Sequence, residues 1–427
     1  KLVLACFKRG FVSFSKVSKG TLTNFIFCIH NHQPVGNFDF VIEDAYKNAY
    51  LPFLEILSDY PSIKLSLHIS GYLLDYLMEN HMEYTELLGT MIERGQVEML
   101  GGGYYEPVLA AIPTVDRIGQ IKLMSEKLYD SFGVRPRGTW LTERVWEPHL
   151  PESLHTAGVE YVVVDDYHFV KAGLRQEALT GYYTTEDQGC VLKVFPGSER
   201  LRYLIPFQPA ERFMEYLKGI SNSQLTTHNS QLIVFADDGE KFGAWPETHK
   251  WVYKENWLKK FLEIINSNLE WLKPVTFSEY IADNNPRGRV YLPTTSYMEM
   301  GEWALPAEAS LEYINLVNDV KTWPDGERIK RFLQGGIWRN FMAKYSEVNW
   351  MHKRMLMVSQ RISNMDKDLK KNKLLSCEAS MLLYKAQCND AYWHGVFGGM
   401  YLPHLRSAVY ENLIKAENLL DGVRGQG

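Results

Sequence analysis

Several features that would assign a chain to a common class of protein are absent from this sequence. None of its apolar runs reaches the roughly eighteen residues of a membrane-spanning helix. Basic residues are not in excess, since 46 Lys and Arg stand against 51 Asp and Glu and the net charge is −5. The sequence therefore lacks the positive field that attracts nucleic acid or an anionic membrane, and we expect neither as a partner.

Cysteine is scarce and carries no recognisable spacing. The five cysteines are Cys6, Cys28, Cys190, Cys377 and Cys388. An odd number without disulfide-type or metal-type spacing indicates reduced thiols, so we expect a cytoplasmic protein. Residues 1–20 contain five Lys or Arg, no acidic residue and only a short apolar run, which does not fit a secretory signal. We expect these residues to be a tail or an extraneous extension.

The sequence does contain a regular alternation of short apolar runs with longer helical patterns. The predicted strands are 24–30, 63–70, 96–102, 137–143, 159–166, the pair 190–195 and 201–207, and 231–237. This alternation is typical of βα units in a mainly parallel sheet, and seven or so strands within about 290 residues favour a barrel. A doubly wound open sheet is the alternative, but no glycine-rich nucleotide fingerprint follows the first strand.

Helical patterns predict how the chain is divided. Residues 114–132 predict an amphipathic helix that ends at Gly133. After residue 305 the pattern becomes mostly helical, with long helices predicted over 326–345 and 350–373. We therefore expect a barrel domain at 21–305 and a helical domain at 306–427.

Polar and aromatic side chains cluster where four of the predicted strands end. These residues are His30, His32, Glu98, Glu106, Trp140, Glu143, Asp237, Asp238 and Glu240. In a barrel the carboxyl ends of the strands converge on one mouth, where active sites form. For the acids that follow "QLIVF", an Asx-rich turn is the structural alternative.

Two carboxylates from different strands, surrounded by aromatic residues and His, suit a neutral polyhydroxylated substrate. Cleavage of a glycosidic bond with retention needs one carboxylate to attack the anomeric carbon and another to protonate the leaving oxygen. Glu143 and Asp238 lie far apart in the sequence and can meet across the mouth of a barrel. The residues alone thus predict a glycoside-cleaving site.

The "HNH" stretch leaves a second chemistry open. His30 and His32 are two residues apart on a strand, so their side chains lie on the same face and could bind one metal ion. A metal-dependent deacetylase or a related hydrolase on a similar barrel is therefore an alternative. No repeated His-bearing motif supplies further ligands.

Five motifs, in order, resemble the conserved regions of glycoside hydrolase family 57, in its 4-α-glucanotransferase and α-amylase branch. They are "HNHQP", "GQVEMLGGGYYEP", "WLTERVWEP", "FADDGEKFG" and "AQCNDAYWHGVFGGMYLPHLR". The resemblance implies an α/β fold, an incomplete (β/α)7 TIM-like barrel followed by a helical bundle domain that completes the active site. It also implies a retaining double displacement on α-1,4-glucans or maltooligosaccharides with no metal and no other cofactor.

The resemblance assigns roles to individual residues. It implies Glu143 as the nucleophile and Asp238, rather than Asp237, as the acid/base. The sugar-binding wall would comprise His30, His32, Glu98, Trp140, Trp245, Asp390 and Trp393. Asp237 and Glu240 would support Asp238. This branch usually continues into a β-rich C-terminal domain, so we expect these 427 residues to be either a fragment or a short form without it, and a homodimer stays open.

The acceptor side decides between transfer to a sugar and hydrolysis by water. We expect this side to be lined by Tyr297, Trp303, Tyr392, Trp393 and His394. Large aromatic rings hold a sugar and exclude water, so we favour 4-α-glucanotransferase over α-amylase. The same rings could instead be core, and a catalytically inactive glucan-binding protein is a further alternative.

Overall fold

The computed structural model describes residues 22–221, 230–368 and 373–424. In these ranges the strands are β1 Leu22–Asn31, β2 Leu65–Ile69, β3 Val97–Leu100, β4 Gly138–Trp140, β5 Tyr161–Asp165, β6 Tyr183–Asp187, β7 Cys190–Gly197, β8 Ser230–Asp238 and β9 Leu272–Pro274. The predicted tail at 1–20 lies outside the described residues.

The helices of the first part are α1 Asp39–Ala45, α2 Leu51–Ser58, α3 Gly71–Asn80, α4 Met82–Glu93, α5 Thr114–Phe132, α6 Leu150–Thr156, α7 Asp166–Lys171, α8 Glu199–Leu204, α9 Ala210–Ser221, α10 Trp257–Asn266 and α11 Phe277–Asp283. Those that follow are α12 Met298–Trp303, α13 Ala307–Thr322, α14 Gly326–Lys330, α15 Asn340–Lys344, α16 Ser346–Asp368, α17 Lys373–Ala386 and α18 Pro403–Arg424. In the described residues, no helix is both long and apolar enough to cross a membrane.

The strands form two sheets that together make an incomplete barrel. One has the order β3-β2-β1-β8, with β9 also paired to β1, and the other has the order β4-β5-β7-β6. All pairings are parallel except the β6–β7 hairpin. Gly101 N donates to Gly138 O at 2.9 Å, which joins β3 to β4, and Ser198 N donates to Val234 O at 2.8 Å, which joins β7 to β8. This architecture confirms the predicted incomplete (β/α)7 barrel with a helical part after it.

The central strand β1 is buried on both faces, which explains its nearly continuous apolar sequence. Phe25, Phe27 and Ile29 pack in the core between the sheet and its helices. Ile26 and Cys28 belong to the core inside the barrel, which also contains Trp140, Tyr161 and Val234. Because side chains alternate along a strand, His30 continues the inward-facing row at the mouth.

The helical part shares its core with the barrel. Buried residues of α16 and α18, such as Met355 and Leu413, belong to the same apolar cluster as Leu141 and Trp146, which follow β4. The two parts therefore pack on each other directly. A boundary near residue 305 stays a prediction.

Two predicted elements are wrong. Residues 201–207 were predicted as a strand paired with β7, but the chain forms α8, whose first turn is capped by Ser198 Oγ accepting from Leu201 N at 3.4 Å. The strand that forms a hairpin with β7 is β6, and the other neighbour of β7 is β5. Leu201 and Ile205 are buried and lie four residues apart. This spacing places two side chains on one face of a helix and also on one face of a strand, so in a short segment it does not tell the two apart.

The predicted long helix over 326–345 is instead α14 and α15 with an irregular stretch between them. Gly336 N donates to Gly301 O at 2.8 Å, and a Cβ on Gly335 would lie 2.5 Å from Gly301 O. The backbone therefore approaches α12 too closely for a helix with side chains. In contrast, the structure confirms α5, which ends at Gly133 with φ of 69°.

Candidate active site

The mouth of the barrel brings together the polar residues of several strand ends. The register pairs His30 of β1 with His68 of β2 on one side and with Asp238 of β8 on the other. The ring of Trp140 at the end of β4 stacks on His30, with centroids 4.5 Å apart and planes 10° apart. These side chains form the floor of the candidate site.

Glu143 lies just beyond β4 in an unusual backbone conformation. Glu143 and Arg144 have φ of 52° and 50°, which is rare for two consecutive non-glycine residues. The Tyr297 hydroxyl donates to Glu143 Oε2 at 2.7 Å, and the Ser296 hydroxyl donates to the Glu143 carbonyl oxygen. Burial, followed by the nearby charge of Asp238, raises the pKa of Glu143 to about 7. The carboxyl is thus held in place by a segment more than 150 residues away.

Asp237 is enclosed by three cations. Its Oδ1 lies 3.0 Å from Arg144 Nη2 and 3.5 Å from Arg202 Nε, and its Oδ2 accepts from the Lys241 ammonium. Burial by itself would raise the pKa of Asp237, but the three cations outweigh it and hold this pKa well below its ordinary range. Asp237 is therefore ionised and cannot deliver a proton near neutral pH.

Asp238 behaves in the opposite way. It is partly exposed, whereas Asp237 is buried. Burial of the carboxyl, followed by the charge of Asp237, raises the pKa of Asp238 above its ordinary value. The pKa values of two adjacent acids on one strand thus shift in opposite directions, because their side chains lie on opposite faces of β8. Asp238 is the one suited to hold a proton.

Glu240 links the end of β8 to the end of β1. Its Oε1 accepts from Tyr50 Oη at 2.5 Å and from the His32 backbone N at 2.9 Å. Burial, followed by the charge of Asp238, raises the pKa of Glu240 to about 7. Glu240 thus interacts with Asp238 through its charge and joins the ends of β8 and β1 through hydrogen bonds.

The helical part contributes Asp390, which lies in a short turn after α17. Asp390 Oδ2 is 2.9 Å from His32 Nε2, and His32 Nδ1 is 3.0 Å from Ser70 Oγ. Burial opposes the charge on His32, but Asp390 outweighs it and raises the pKa of His32 well above its ordinary value. The pair is therefore ionic and joins the barrel mouth to the helical part.

Aromatic rings form two groups beside these polar residues. Trp393 lies 6.3 Å from Trp303, which in turn lies 6.0 Å from Tyr297, the partner of Glu143. In the second group, the ring centroid of Trp245 lies 5.9 Å from that of Phe207 and 5.1 Å from that of Phe397. Phe397 is 60% exposed and lies within the "AQCNDAYWHGVFGGMYLPHLR" motif, although the sequence analysis did not name it among the acceptor-side residues.

Some predicted residues occupy other positions. Glu98 faces the interior of the barrel one layer below His68, where it accepts from Tyr161 Oη at 2.7 Å and from Ser278. Its carboxylate is thus engaged by protein rather than directed at the mouth. Tyr392 is buried in the core, donating to Ala386 O at 2.7 Å, whereas His394 is partly exposed and lies 3.0 Å from Tyr345 Oη.

His68 at the site was missed by sequence reasoning, and Glu106 was included among the strand-end residues but given no role. Glu106 lies 3.7 Å from His30 Nε2 and 3.8 Å from His68 Nε2, and burial raises its pKa to about 8. Both carboxylate oxygens of Glu106 lack a hydrogen-bond partner. The signals were a histidine inside an apolar strand and an acid that ends the "GGGYYEP" motif.

The two histidines of "HNH" separate into different clusters. In the part of the chain that the structure describes, the groups with three close metal-type ligands are His30, His68 and Glu106, and His32, Cys388 and Asp390. The hypothesis that His30 and His32 share one metal ion is therefore not supported by the geometry. The described cysteines, Cys28, Cys190, Cys377 and Cys388, form no disulfide.

Comparison with known proteins gives consistent matches. Residues 26–293 match the family described as "Glycosyl hydrolase family 57", and residues 336–420 match "Alpha-amylase/4-alpha-glucanotransferase, middle domain". A protein named alpha-amylase from Pyrococcus furiosus is 51% identical over 399 residues, covering 93% of this chain and 59% of the relative. A 4-alpha-glucanotransferase from Thermococcus litoralis is 51% identical over 397 residues, covering 93% of this chain and 58% of the relative.

The crystal structure of the 4-alpha-glucanotransferase from Thermococcus litoralis has the same fold. It superposes with a TM-score of 0.86 at 50% identity, covering 93% of this chain and 60% of that chain. The chain thus spans less than two thirds of the length of these relatives.

Proposed function

Because the chain belongs to glycosyl hydrolase family 57, we propose that it is a retaining enzyme that acts on α-1,4-glucans. Glu143 is the nucleophile and Asp238 the acid/base. The observation that carries this proposal is the pair of partly exposed acids with raised pKa values at one barrel mouth, beside an Asp237 that its cations keep ionised. An attacking carboxylate and a proton donor are what a retaining displacement needs.

In the first step, the Glu143 carboxylate attacks the anomeric carbon as Asp238 protonates the departing glycosidic oxygen. The product is a β-glycosyl ester on Glu143, and the shortened glucan leaves with the proton. Esterification removes the negative charge of Glu143, which had disfavoured ionisation of its neighbour. The pKa of Asp238 then falls, and it accepts the proton of the incoming hydroxyl in the second step.

Sugar hydroxyls bind to the charged and polar groups at the mouth, and sugar faces bind to the rings. His32 and Asp390 form one side of this binding surface, and Trp140 with His30 forms its floor. Trp393 and Trp245 form the aromatic walls. Glu98 is already bound by Tyr161 and Ser278, and Glu106 lies buried against His30 and His68 beneath the floor. The helical part at 306–427 completes the site through Asp390 and Trp393.

We favour 4-α-glucanotransferase over α-amylase because aromatic rings flank the site on two sides. Tyr297, Trp303 and Trp393 form a continuous series that starts at Glu143. Trp245 and the exposed Phe397 form the second wall. A sugar acceptor between such walls excludes the water that would otherwise attack the intermediate. Both activities occur among the names of the relatives, so the products must decide.

The first experiment incubates the protein with maltotriose and resolves the products by chain length. A ladder of longer and shorter oligomers with little rise in reducing ends supports transfer. Steady growth of reducing ends with only shorter products would leave an α-amylase.

A second experiment separates the two acids by azide rescue. With Glu143→Ala and an activated α-glycosyl donor, azide takes the empty nucleophile position and yields the β-glycosyl azide. With Asp238→Ala the same donor still forms the ester, and azide attacks from the other face to yield the α-glycosyl azide. Identical products from both variants would refute the assignment. Glu147→Ala is the matched control, because that acid pairs with Arg339 and not with the site.

The remaining alternatives have direct tests. Full activity after exhaustive chelation separates this mechanism from that of a metal-dependent deacetylase. A slow fluorinated donor that labels Glu143, detected by mass spectrometry, separates it from an inactive glucan-binding protein. A cytoplasmic location and a homodimer stay predictions, to be checked by fractionation and light scattering.

A further inference from the structure

A cluster of three different ligand types lies where the helical part meets the barrel mouth. His32 Nε2, Cys388 Sγ and Asp390 Oδ2 all lie within 4.8 Å of one another. Nε2 and Oδ2 are 2.9 Å apart, and Sγ and Oδ2 are 3.3 Å apart. The proposed glucan chemistry makes no use of the thiol.

The spacing of these atoms fits a tetrahedral metal ion. Zinc bonds of about 2.0 Å to nitrogen or oxygen and about 2.3 Å to sulfur place neighbouring ligand atoms roughly 3.3–3.6 Å apart. The observed separations of 2.9 and 3.3 Å need to widen by only a few tenths of an ångström. Three protein ligands would leave a fourth position for water or another oxygen ligand.

The surroundings hold the ligands in place and leave an approach open. Ser70 Oγ contacts His32 Nδ1 at 3.0 Å, so that Nε2 is the nitrogen directed at the cluster. Val35 N donates to Cys388 Sγ at 3.5 Å, which orients the sulfur. The side chains of His32 and Asp390 keep 12% and 24% of their surface exposed, so an ion can enter from the mouth.

The neighbouring cluster of His30, His68 and Glu106 is less suited to this role. All three residues are buried, and the two histidines already contact each other through their Nδ1 atoms at 2.8 Å. It also lacks a thiolate. Imidazole and thiolate together select soft or borderline cations such as Zn²⁺ over Ca²⁺ and Mg²⁺.

We propose that His32, Cys388 and Asp390 form an inhibitory site for Zn²⁺ or a similar thiophilic divalent cation. Binding forms bonds from the metal to Nε2, Sγ and Oδ2, and releases the thiol proton and the proton shared by His32 and Asp390 to solvent. The inhibition, though not the binding, rests on the proposed function, because the ion occupies two residues assigned to sugar binding. Maltotriose and Zn²⁺ therefore compete.

Two measurements on the full chain test this site. The first titrates Co²⁺ into metal-free protein and follows the thiolate-to-cobalt charge-transfer band in the near ultraviolet. The second measures disproportionation of maltotriose against Zn²⁺ concentration, with and without a chelator. The variant is Cys388→Ser, and the matched control is Cys377→Ser, which removes an exposed thiol outside the cluster.

We expect the charge-transfer band in the parent protein and in the Cys377→Ser control, and its loss in Cys388→Ser. Zn²⁺ inhibits the parent reversibly, and chelation restores the rate. Rising maltotriose raises the Zn²⁺ concentration that is needed for half-inhibition. Cys388→Ser keeps activity and weakens Zn²⁺ inhibition by about 10–100-fold or more, since removing a ligand costs at least as much as removing its supporting contact.

Equal inhibition of the Cys388→Ser variant and the parent overturns the proposal, as does a cobalt band that survives this substitution. Activation by Zn²⁺ overturns it too. If the protein shows no activity on glucans under any metal condition, the proposed function fails. A cobalt band that depends on Cys388 would still establish the metal site in that case.

Discussion

The hydroxyl of Tyr297 donates a hydrogen bond to Glu143 Oε2 at 2.7 Å, and replacing Tyr297 by Phe removes this bond while keeping the ring. The bond favours the charged form of the carboxyl and therefore lowers the pKa of Glu143. The net pKa is still raised to about 7, because burial and the charge of Asp238 outweigh the hydrogen bond. Tyr297→Phe should raise it further.

The size of the shift follows from the strength of such bonds. A hydrogen bond to a charged group contributes about 1.5–3 kcal/mol. One pKa unit corresponds to about 1.4 kcal/mol, so the pKa of Glu143 should rise by roughly one to two units. The ionised carboxylate is the reactive form. On the acid side, kcat/KM should therefore fall about 10–100-fold, whereas at pH values above the new pKa the loss should be small.

The assay is kcat/KM for an activated maltooligosaccharide donor, measured from about pH 5 to about pH 10, so that the range extends above the raised pKa of the nucleophile. An activated donor is used so that protonation by Asp238 does not limit the rate. Tyr392→Phe is the matched control, since its hydroxyl bonds to Ala386 O in the core. A loss of the same size at every pH, or an acid limb that does not move, would refute the argument.

Three further predictions follow from other contacts. Asp238→Asn should lower the rate on maltooligosaccharides by about 10²–10⁴-fold and leave much of the rate on a glycosyl fluoride, which needs no proton. Phe397→Ala removes the exposed ring 5.1 Å from Trp245 and should lower the ratio of transfer to hydrolysis. An aromatic contact of about 0.5–1.5 kcal/mol predicts a change of roughly two- to tenfold, measured as oligomer products against reducing ends. In Gly102→Ala the new Cβ would lie 2.3 Å from His68 Nε2, so the free energy of unfolding should fall by about 1–3 kcal/mol in thermal or denaturant melts.

Each of these has a control within the chain. Asp237→Asn should destabilise the fold instead of changing leaving-group dependence, because it removes the acid that pairs with buried Lys241 and leaves Arg144 and Arg202 with Asp165 alone. Phe332→Ala removes another exposed ring, 66% accessible, beyond α14, and should not alter the product ratio. Gly219→Ala places a methyl group in open space on α9 and should stabilise it by about 0.5–1 kcal/mol. Equal effects of variant and control would count against the corresponding prediction.

The order of elements and the chemical types at the strand ends could be predicted from the sequence. Apolar periodicity is a local property of the chain, and a strand with both faces buried, such as β1, shows it strongly. The same is true of α5, where the helical pattern ends at a glycine with positive φ. Five motifs in order also identify the family.

The wrong elements lie where contacts distant in sequence outweigh local pattern. Residues 201–207 have apolar residues at a spacing compatible with either a strand or a short helix, and in the helix that forms, Arg202 contacts Asp165 on β5. Over 326–345, the helical pattern is broken because Gly335 and Gly336 pack their backbone against Gly301. Neither contact can be read from local composition.

The opposite pKa shifts of Asp237 and Asp238 were decided only by the tertiary structure. From the residues alone, Asp237 and Asp238 are equivalent, and only the resemblance preferred one of them. Folding brings Arg144, Arg202 and Lys241 around Asp237 and leaves Asp238 at the mouth. Because electrostatic interaction depends on distance in space and on the surrounding medium, no spacing along the chain reports it.

The choice between Glu98 and Glu106 has the same origin. Both acids belong to one motif, but β3 ends between them, so Glu98 faces the barrel interior while Glu106 reaches His30 and His68. The pairing of His32 with Asp390 spans 358 residues. Sequence alone therefore determined which chemical groups the site has available. Packing of the helical part on the barrel decided which of these groups meet. Residues so far apart in sequence come into contact only when the helical part and the barrel pack into a shared apolar core.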